Sequence, residues 1–202
     1  AISNVVDITN YILKELGQPM HAFDCNFLEG NAINVRRAND AEKIVALNEK
    51  EYTLDSSNLV ICDGVKPVAI AGVMGGLNSE ITENTKEVLF ESAKFLKDSV
   101  RKTSRSLGLR SDSAARFEKG IDEYTVECGM ARALNLAQTL GVAKISSTKF
   151  DISGGASTEK RVINVATAKV NEVLGIEVPE ADMVEVLEAL QFEVALNDGV
   201  LT

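Results

Sequence analysis

A single histidine, His21, lies in the run Gly17-Gln18-Pro19-Met20-His21-Ala22-Phe23-Asp24. Histidine transfers protons near neutral pH, so one placed just after a proline turn is a candidate for acid–base chemistry. That position, beside small Ala22, keeps it off any regular packing face; a structural histidine capping a loop is the other reading. Glu91 stands between Phe90 and Ser92 in an apolar stretch. Buried from both sides, its carboxyl needs a partner or a task; facing outward, it is merely solvated. Gly72-Val73-Met74-Gly75-Gly76 offers backbone N–H groups and room for a ligand to come close, or makes a tight strand-to-loop turn. It is neither a Walker loop nor a dinucleotide fingerprint, since no Gly-Lys-Ser/Thr follows and only Gly72 and Gly75 have three-residue spacing. No GxSxG element is present, which argues against a serine-nucleophile α/β hydrolase.

Arg101, Lys102, Arg105, Arg110 and Arg116 crowd together in a chain whose formal charge is −9. They form either a local patch able to hold phosphates or a solvated helix face. The overall charge argues against binding nucleic acid through a general basic footprint and leaves a local contact open. Ser111-Asp112-Ser113 interrupts the patch with hydroxyls and one carboxylate, and Asp112 is also a candidate N-cap. Cys25, Cys62 and Cys128 are far apart without CxxC spacing, so neither a disulfide framework nor a zinc site is expected, and a reducing compartment fits. The N-terminus has no signal-peptide pattern, and no apolar run nears the roughly 18 residues needed to span a bilayer. The sequence has no initiator Met and stops as a strand opens at Gly199–Thr202, so a piece of a longer polypeptide is expected.

These groups need elements to hold them. Apolar spacing from Val5 to Leu16 predicts a helix, with Ser3 or Asn4 as N-cap and Gly17 as its stop; Pro19 then biases Gln18 toward an extended backbone. Strands are expected over Ala32–Arg37, Lys50–Leu54, Leu59–Gly64, Val68–Ala71 and Val88–Ala93. Helices follow over Lys97–Ser106, Ala114–Phe117 and Glu123–Leu140, the last facing inward through Ala131, Leu134, Leu136, Ala137 and Leu140. Lys144–Ile152 returns as a strand. The small, polar stretch Ser153–Glu159 is the best domain boundary. Beyond it come a strand at Val162–Val165, helices at Ala168–Leu174 and Ala181–Leu190, and a hairpin opening at Phe192–Leu196.

Asn4–Tyr11, Glu15–Asp24, Ala69–Gly76, Leu107-Gly108-Leu109, Ser111-Asp112-Ser113 and Arg116–Gly120 together closely resemble the beta-subunit core of bacterial phenylalanyl-tRNA synthetases. They stand in family order and with family-like spacing over residues 1 to about 152, and residues 160–202 resemble the start of the next domain of that subunit. The resemblance implies a mixed α/β (α+β) fold, layered around an unusual β-sandwich with flanking helices. It implies an editing domain over 1–153, a linker over 154–159, and the N-terminal part of a small winged-helix-like domain over 160–202. The implied activity is hydrolysis of mischarged Tyr-tRNA(Phe) as part of phenylalanyl-tRNA aminoacylation. His21 and Glu91 would be catalytic: His21 positions water on one wall of a pocket, and Glu91 reads the tyrosine hydroxyl at its far end. Asn10, Gly72, Gly75, Ser111 and Ser113 would line the substrate, although many relatives carry Thr where Ser111 stands and Ala where Ser113 stands. Arg101, Lys102, Arg105 and Arg110 would meet tRNA. Implied partners are the acceptor end of tRNA(Phe), the tyrosine moiety and the synthetase alpha subunit, in a cytoplasmic enzyme with no membrane contact. No metal or cofactor is expected in this stretch; ATP and magnesium belong to the whole enzyme. The competing reading is a non-catalytic module of the same fold that binds an amino acid or RNA or serves as a scaffold.

Overall fold

The computed structural model describes residues 3–152, 154 and 160–202, so residues 155–159 of the expected linker lie outside the described residues. The chain divides into two compact units, Ala1–Ala156 and Ser157–Thr202.

The first unit opens with α1 (Asn4–Leu16). Ser3 caps it by accepting from the Val6 N–H, and Gly17 ends it in the left-handed region at φ 73°. Then come β1 (Met20–Asp24), β2 (Asn34–Arg37), β3 (Glu42–Val45), β4 (Glu51–Leu54), β5 (Leu59–Cys62), β6 (Pro67–Ile70), β7 (Met74–Gly75) and β8 (Val88–Ser92). Three helices follow: α2 (Lys97–Ser106), α3 (Asp112–Phe117) and α4 (Glu123–Thr139). All strand pairing is antiparallel: β1 with β8, β3 with β4, and a sheet in the order β2-β5-β6-β7.

The β1–β8 ribbon sits between two apolar cores, because alternate side chains of a strand point to opposite faces. On one face Phe23 joins Ile44, Leu54, the β5 and β6 side chains, Phe95, Val100 and Phe117, with Leu89 packed alongside. On the other, Met20 packs against Ile8, Ile12, Ala133 and Ala137 of α1 and α4. Strand β6 is buried along its whole length, as a central strand covered on both faces must be.

Several expectations are corrected. Met20–Asp24 is a strand rather than the irregular exit from a helix, and β3 was not foreseen. Its charged first half, Glu42 and Lys43, masks a short strand that fully buries only Ile44. Lys144–Ile152 is not a strand; it has no partner strand and leaves Phe150 and Ile152 exposed to solvent. The inward stripe of α4 is Gly129, Ala133 and Ala137, whereas Ala131 and Leu140 are exposed. Small residues there let the helix approach α1 and the ribbon closely.

The second unit runs β9 (Val165–Ala166), α5 (Thr167–Leu174), α6 (Glu180–Ala189), β10 (Leu196–Asn197) and β11 (Val200–Leu201). Its strands form one antiparallel sheet ordered β10-β11-β9, so the hairpin returns to the opening strand. The strand at its start is shorter than expected. Together the units form a mixed α/β structure with small antiparallel sheets.

The tightest polar knot of the first unit is Asp63, fully buried at the β5–β6 turn. Its carboxylate accepts from the backbone N–H groups of Glu29 (3.0 Å), Val65 (2.7 Å) and Lys66 (2.7 Å) and from Lys66 Nζ (3.0 Å). Burial pushes its pKa up, but these donors outweigh burial and hold it at about 2. Asp63→Ala strips three backbone N–H groups of their acceptor. The expected loss is about 2–3 kcal/mol, read as a fall of roughly 5–10 °C in the unfolding midpoint. A change under about 2 °C would show that solvent satisfies the turn equally well.

Candidate functional site

His21 and Glu91 are direct cross-strand partners in the β1–β8 ribbon. Just past the strand end, the Cys25 N–H donates to the Glu87 carbonyl at 3.0 Å. That bond sets the phase of the ladder: counting back by twos, Phe23 with Leu89 and then His21 with Glu91 are hydrogen-bonded pairs, with Cα atoms about 5.5 Å apart. Directly opposed side chains share a face. His21 and Glu91 therefore both point toward the sheet core, beside Phe23 and Leu89. The His21 ring meets the Phe23 ring edge-on, with centroids 4.5 Å apart.

The pair is dehydrated and unpaired. His21 and Glu91 each keep some exposed surface as residues, yet His21 Nε2 and Glu91 Oε2 are enclosed. Among the described residues these are the only buried side-chain nitrogen or oxygen atoms without a hydrogen-bond partner. Burial disfavours the charged forms. It lowers the imidazole from its ordinary 6.5 to about 4 and raises the carboxyl from 4.5 to about 7. At neutral pH His21 is an uncharged base and Glu91 stands at its titration midpoint. A neutral imidazole nitrogen can accept a hydrogen bond, and a carboxyl near its midpoint can donate or accept one.

Gly75 makes room for the ring. A Cβ on Gly75 would stand 2.3 Å from His21 Cε1 and 2.7 Å from Nε2. Strand β7 holds it there, pairing Gly75 with Ala69 of β6, while its carbonyl accepts from the Leu47 N–H at 3.0 Å. Gly72 has a different reason. At φ 69° its missing side chain would meet Phe95, Val100 and Phe117, so core packing and backbone conformation account for this glycine without a ligand.

The other expected site residues separate. Ser111, not Asp112, caps α3: its hydroxyl accepts from the Ala114 N–H at 3.0 Å and donates to the Val73 carbonyl at 2.6 Å. That hydroxyl ties α3 to the glycine loop and has its proton committed. Asp112 instead pairs with Lys14 at 3.0 Å. Ser113 is half-buried on α3 and Asn10 is exposed on α1; no hydrogen bond links either to His21 or Glu91. Arg101, Lys102 and Arg105 project from the solvent face of α2, whose inner face is Val100, Thr103 and Ser104; Arg110 is exposed just beyond. A cleft of about 590 Å³ between α1, α3 and the start of α4 is lined by Lys14, Asp112, Arg116, Lys119 and Thr125 among others, and includes neither His21 nor Glu91. The register makes His21 and Glu91 direct neighbours across the ribbon.

One residue at the site was read only as backbone. Gln18 is completely buried, and its side-chain nitrogen donates to the Pro19 and Ala93 carbonyls, one beside each strand at the same end of the ribbon. A long amide beside a proline in an otherwise apolar run is the signal that could have marked it.

The B3/4 domain family matches residues 1–141. The phenylalanine–tRNA ligase beta subunit of Syntrophus aciditrophicus is 46% identical over 201 residues, covering all of this chain and 25% of that protein. The beta subunits of Latilactobacillus sakei and Clostridium acetobutylicum are 43% and 42% identical, again over about a quarter of their length. The chain thus spans about a quarter of these relatives. A crystal structure of an N-terminal fragment of the Pyrococcus horikoshii phenylalanyl-tRNA synthetase beta subunit aligns with 98% of this chain and 58% of that one, at 13% identity and a TM-score of 0.48.

Two outcomes follow from the geometry. Gly75→Ala forces the His21 ring aside, which ring resonances in NMR or a crystal structure of the variant will show; an unmoved ring contradicts the packing described. Glu91→Gln isolates the cost of burying the carboxyl. Between about pH 4.5 and 7 the folded chain holds a proton on Glu91 that the unfolded chain has lost, so stability falls as pH rises across that interval. His21 acts oppositely, with stability falling as pH drops from 6.5 toward 4. The two slopes cancel between about 4.5 and 6.5. Relative to the parent, Glu91→Gln should therefore gain stability as pH rises, by on the order of 3 kcal/mol at pH 8. Denaturant titrations at pH 4.5 and 8 measure it, and an equal difference at both pH values refutes it.

Proposed function

The chain belongs to the B3/4 domain family, and on that premise we propose that it is the editing domain of a phenylalanine–tRNA ligase beta subunit, hydrolysing Tyr-tRNA(Phe). The observation that carries this reading is the cross-strand pair His21 and Glu91, both enclosed and both with a polar atom lacking a partner.

A pocket built for phenylalanine cannot strongly reject an isostere that adds one hydroxyl, so a second site that binds the hydroxyl is useful. Glu91, poised near neutrality in an apolar wall, suits a phenol. Tyrosine completes its hydrogen bonding, whereas phenylalanine would leave the buried carboxyl unpaired at a cost of about 1–3 kcal/mol. His21 stays neutral above about pH 4, so it can accept a hydrogen bond from water throughout the physiological range. Water adds to the ester carbonyl, the bond to the ribose oxygen breaks, and that oxygen leaves with a proton, giving tyrosine and uncharged tRNA. The terminal ribose hydroxyl of the tRNA assists. Because the two side chains leave one ribbon side by side, the amino acid lies against a single wall, its carbonyl toward His21 and its ring toward Glu91. Gly75 keeps that wall open.

Asn10 and Ser113, which make no hydrogen bond to the pair, have no part in this reading beyond what the family resemblance implies. Ser111 acts through its bond to Val73, holding the glycine loop. The exposed cations Arg101, Lys102, Arg105 and Arg110 meet phosphates of the acceptor end, against an overall charge of −9. In the whole enzyme, phenylalanine activation with ATP and magnesium falls to the alpha subunit, and the assembly works in the cytoplasm. No helix among the described residues is long and apolar enough to cross a membrane.

The test is deacylation of Tyr-tRNA(Phe) by the intact two-subunit enzyme. His21→Ala should lower the rate by about 10²–10⁴-fold. Glu91→Ala should erode the preference for Tyr-tRNA(Phe) over Phe-tRNA(Phe) by about 10–100-fold, and aminoacylation with phenylalanine should persist in both. Unchanged deacylation in both variants would sink the hydrolase reading, and tyrosine binding that survives without hydrolysis would leave a recognition module.

A further inference from the structure

The pairing that places His21 opposite Glu91 should continue one step further, to Pro19 and Ala93. The phase set by Cys25 and Glu87 makes that position a hydrogen-bonded one, in which the residue-19 N–H donates to the Ala93 carbonyl. Proline has no N–H to give. The bond is nevertheless made: Gln18 Nε2 donates to the Ala93 carbonyl at 2.9 Å and to the Pro19 carbonyl at 3.0 Å. Both acceptors are carbonyls, so the amide can only point its nitrogen at them. On the other side Gln18 Oε1 accepts from Thr125 Oγ1 at 2.9 Å, a hydroxyl that also lies 2.8 Å from the Asp122 carbonyl.

The side chain has no freedom to do otherwise. It is fully buried, and α4 presents Gly129 where any Cβ would stand 2.8 Å from Gln18 Cγ. One amide therefore fastens the end of α1, the start of β1, the end of β8 and the first turn of α4. The fastening point lies three residues before His21 and two after Glu91.

We propose that Gln18 is a positioning residue for the hydrolytic site. Its side-chain amide replaces the backbone donor missing at Pro19 and so fixes the spacing and register of His21 and Glu91. The inference rests on the hydrolytic reading above for its activity readout, and on the ladder alone for its structural one.

The experiment uses the intact two-subunit enzyme carrying Gln18→Ala, Pro19→Ala, the double substitution, Gly129→Ala and, as reference, His21→Ala. Gln18→Ala should lower kcat for Tyr-tRNA(Phe) hydrolysis about 10–100-fold with KM within about threefold, since loosened geometry costs the chemical step more than binding. Gly129→Ala, which pushes the amide from α4, should lower kcat in the same way. Pro19→Ala restores a backbone N–H opposite Ala93, so the double variant should recover to within about threefold of Pro19→Ala alone. A general loss of fold would not be rescued by removing a proline. Gln18→Ala within about twofold of the parent while His21→Ala is inactive overturns the proposal, as does a loss that Pro19→Ala leaves uncorrected. If His21→Ala is itself silent, the hydrolytic reading fails separately. Carboxyl-detected NMR of Glu91 then decides: its titration should move from near 7 toward 4.5 in Gln18→Ala as water enters, and an unmoved titration refutes the positioning role.

Discussion

The antiparallel contact between β1 and β8 carries two packing demands at once. One face closes over the α1–α4 layer through Met20, and the other closes over the sheet core through Phe23 and Leu89. A ribbon held this way has no tolerance for slippage, because a shift of one residue exchanges its faces. His21 and Glu91 would then turn toward the helices, while Met20 and Ala22 would face Gly75. The site thus depends on register before it depends on any side chain. Cys25 to Glu87 closes one end of the ribbon and Gln18 to Ala93 the other, and the histidine–glutamate pair lies between these ties.

The chemistry of the pair follows from where the register puts it. Elsewhere among the described residues, buried polar side chains are answered: Asp63 by four donors, Asp24 by Thr85 and Asn26, and Asn58 by Thr103. Those groups brace turns and strand ends. His21 and Glu91 depart from this rule at a cost in solvation, one held neutral by a lowered pKa and the other brought to its midpoint near pH 7 by a raised one. Between about pH 4.5 and 6.5, folding removes a proton from the histidine and leaves one on the glutamate. Among the described residues, burial, a missing partner and a shifted pKa coincide at these two side chains, which is what marks them as a candidate site.

Much of the framework was legible from local chemistry. Ser3 and Gly17 bound α1 as their types require, α2 has the span its pattern predicts, and β6 reads as a buried apolar run. The unread parts were those where context decides. Strand β1 is covered on both faces, so Met20-His21-Ala22-Phe23-Asp24 shows no alternation of apolar and polar residues, and the preceding proline reads as a break. Lys144–Ile152 has strand-forming residues and no neighbour to pair with. At the site, residue types marked His21, Glu91 and the glycine loop, but no local signal says that a strand near the N-terminus pairs with one ending at Ser92. Gly75 was noted as a place for a ligand to come close; what comes close to it in the structure is the His21 ring. Gly72 was grouped with it by spacing, yet its missing side chain faces Phe95 and Phe117 instead of the pair.

On the proposed reading, the adjacency of the two residues also limits how selective the site can be. A buried carboxyl left without a partner costs about 1–3 kcal/mol, which is roughly 5–150-fold between a tyrosyl and a phenylalanyl ester. That factor is modest, but it multiplies the discrimination already made when the amino acid is chosen, and a second sieve needs no more. Glu91 near its midpoint suits the task better than a fully ionised carboxylate would. Held at about 7, it meets the phenol at little further desolvation cost, because burial has already imposed that cost on the folded chain. The same dehydration keeps His21 unprotonated beside it. The wall that selects the hydroxyl is in this way also the wall that keeps the base ready, and a single strand register maintains both.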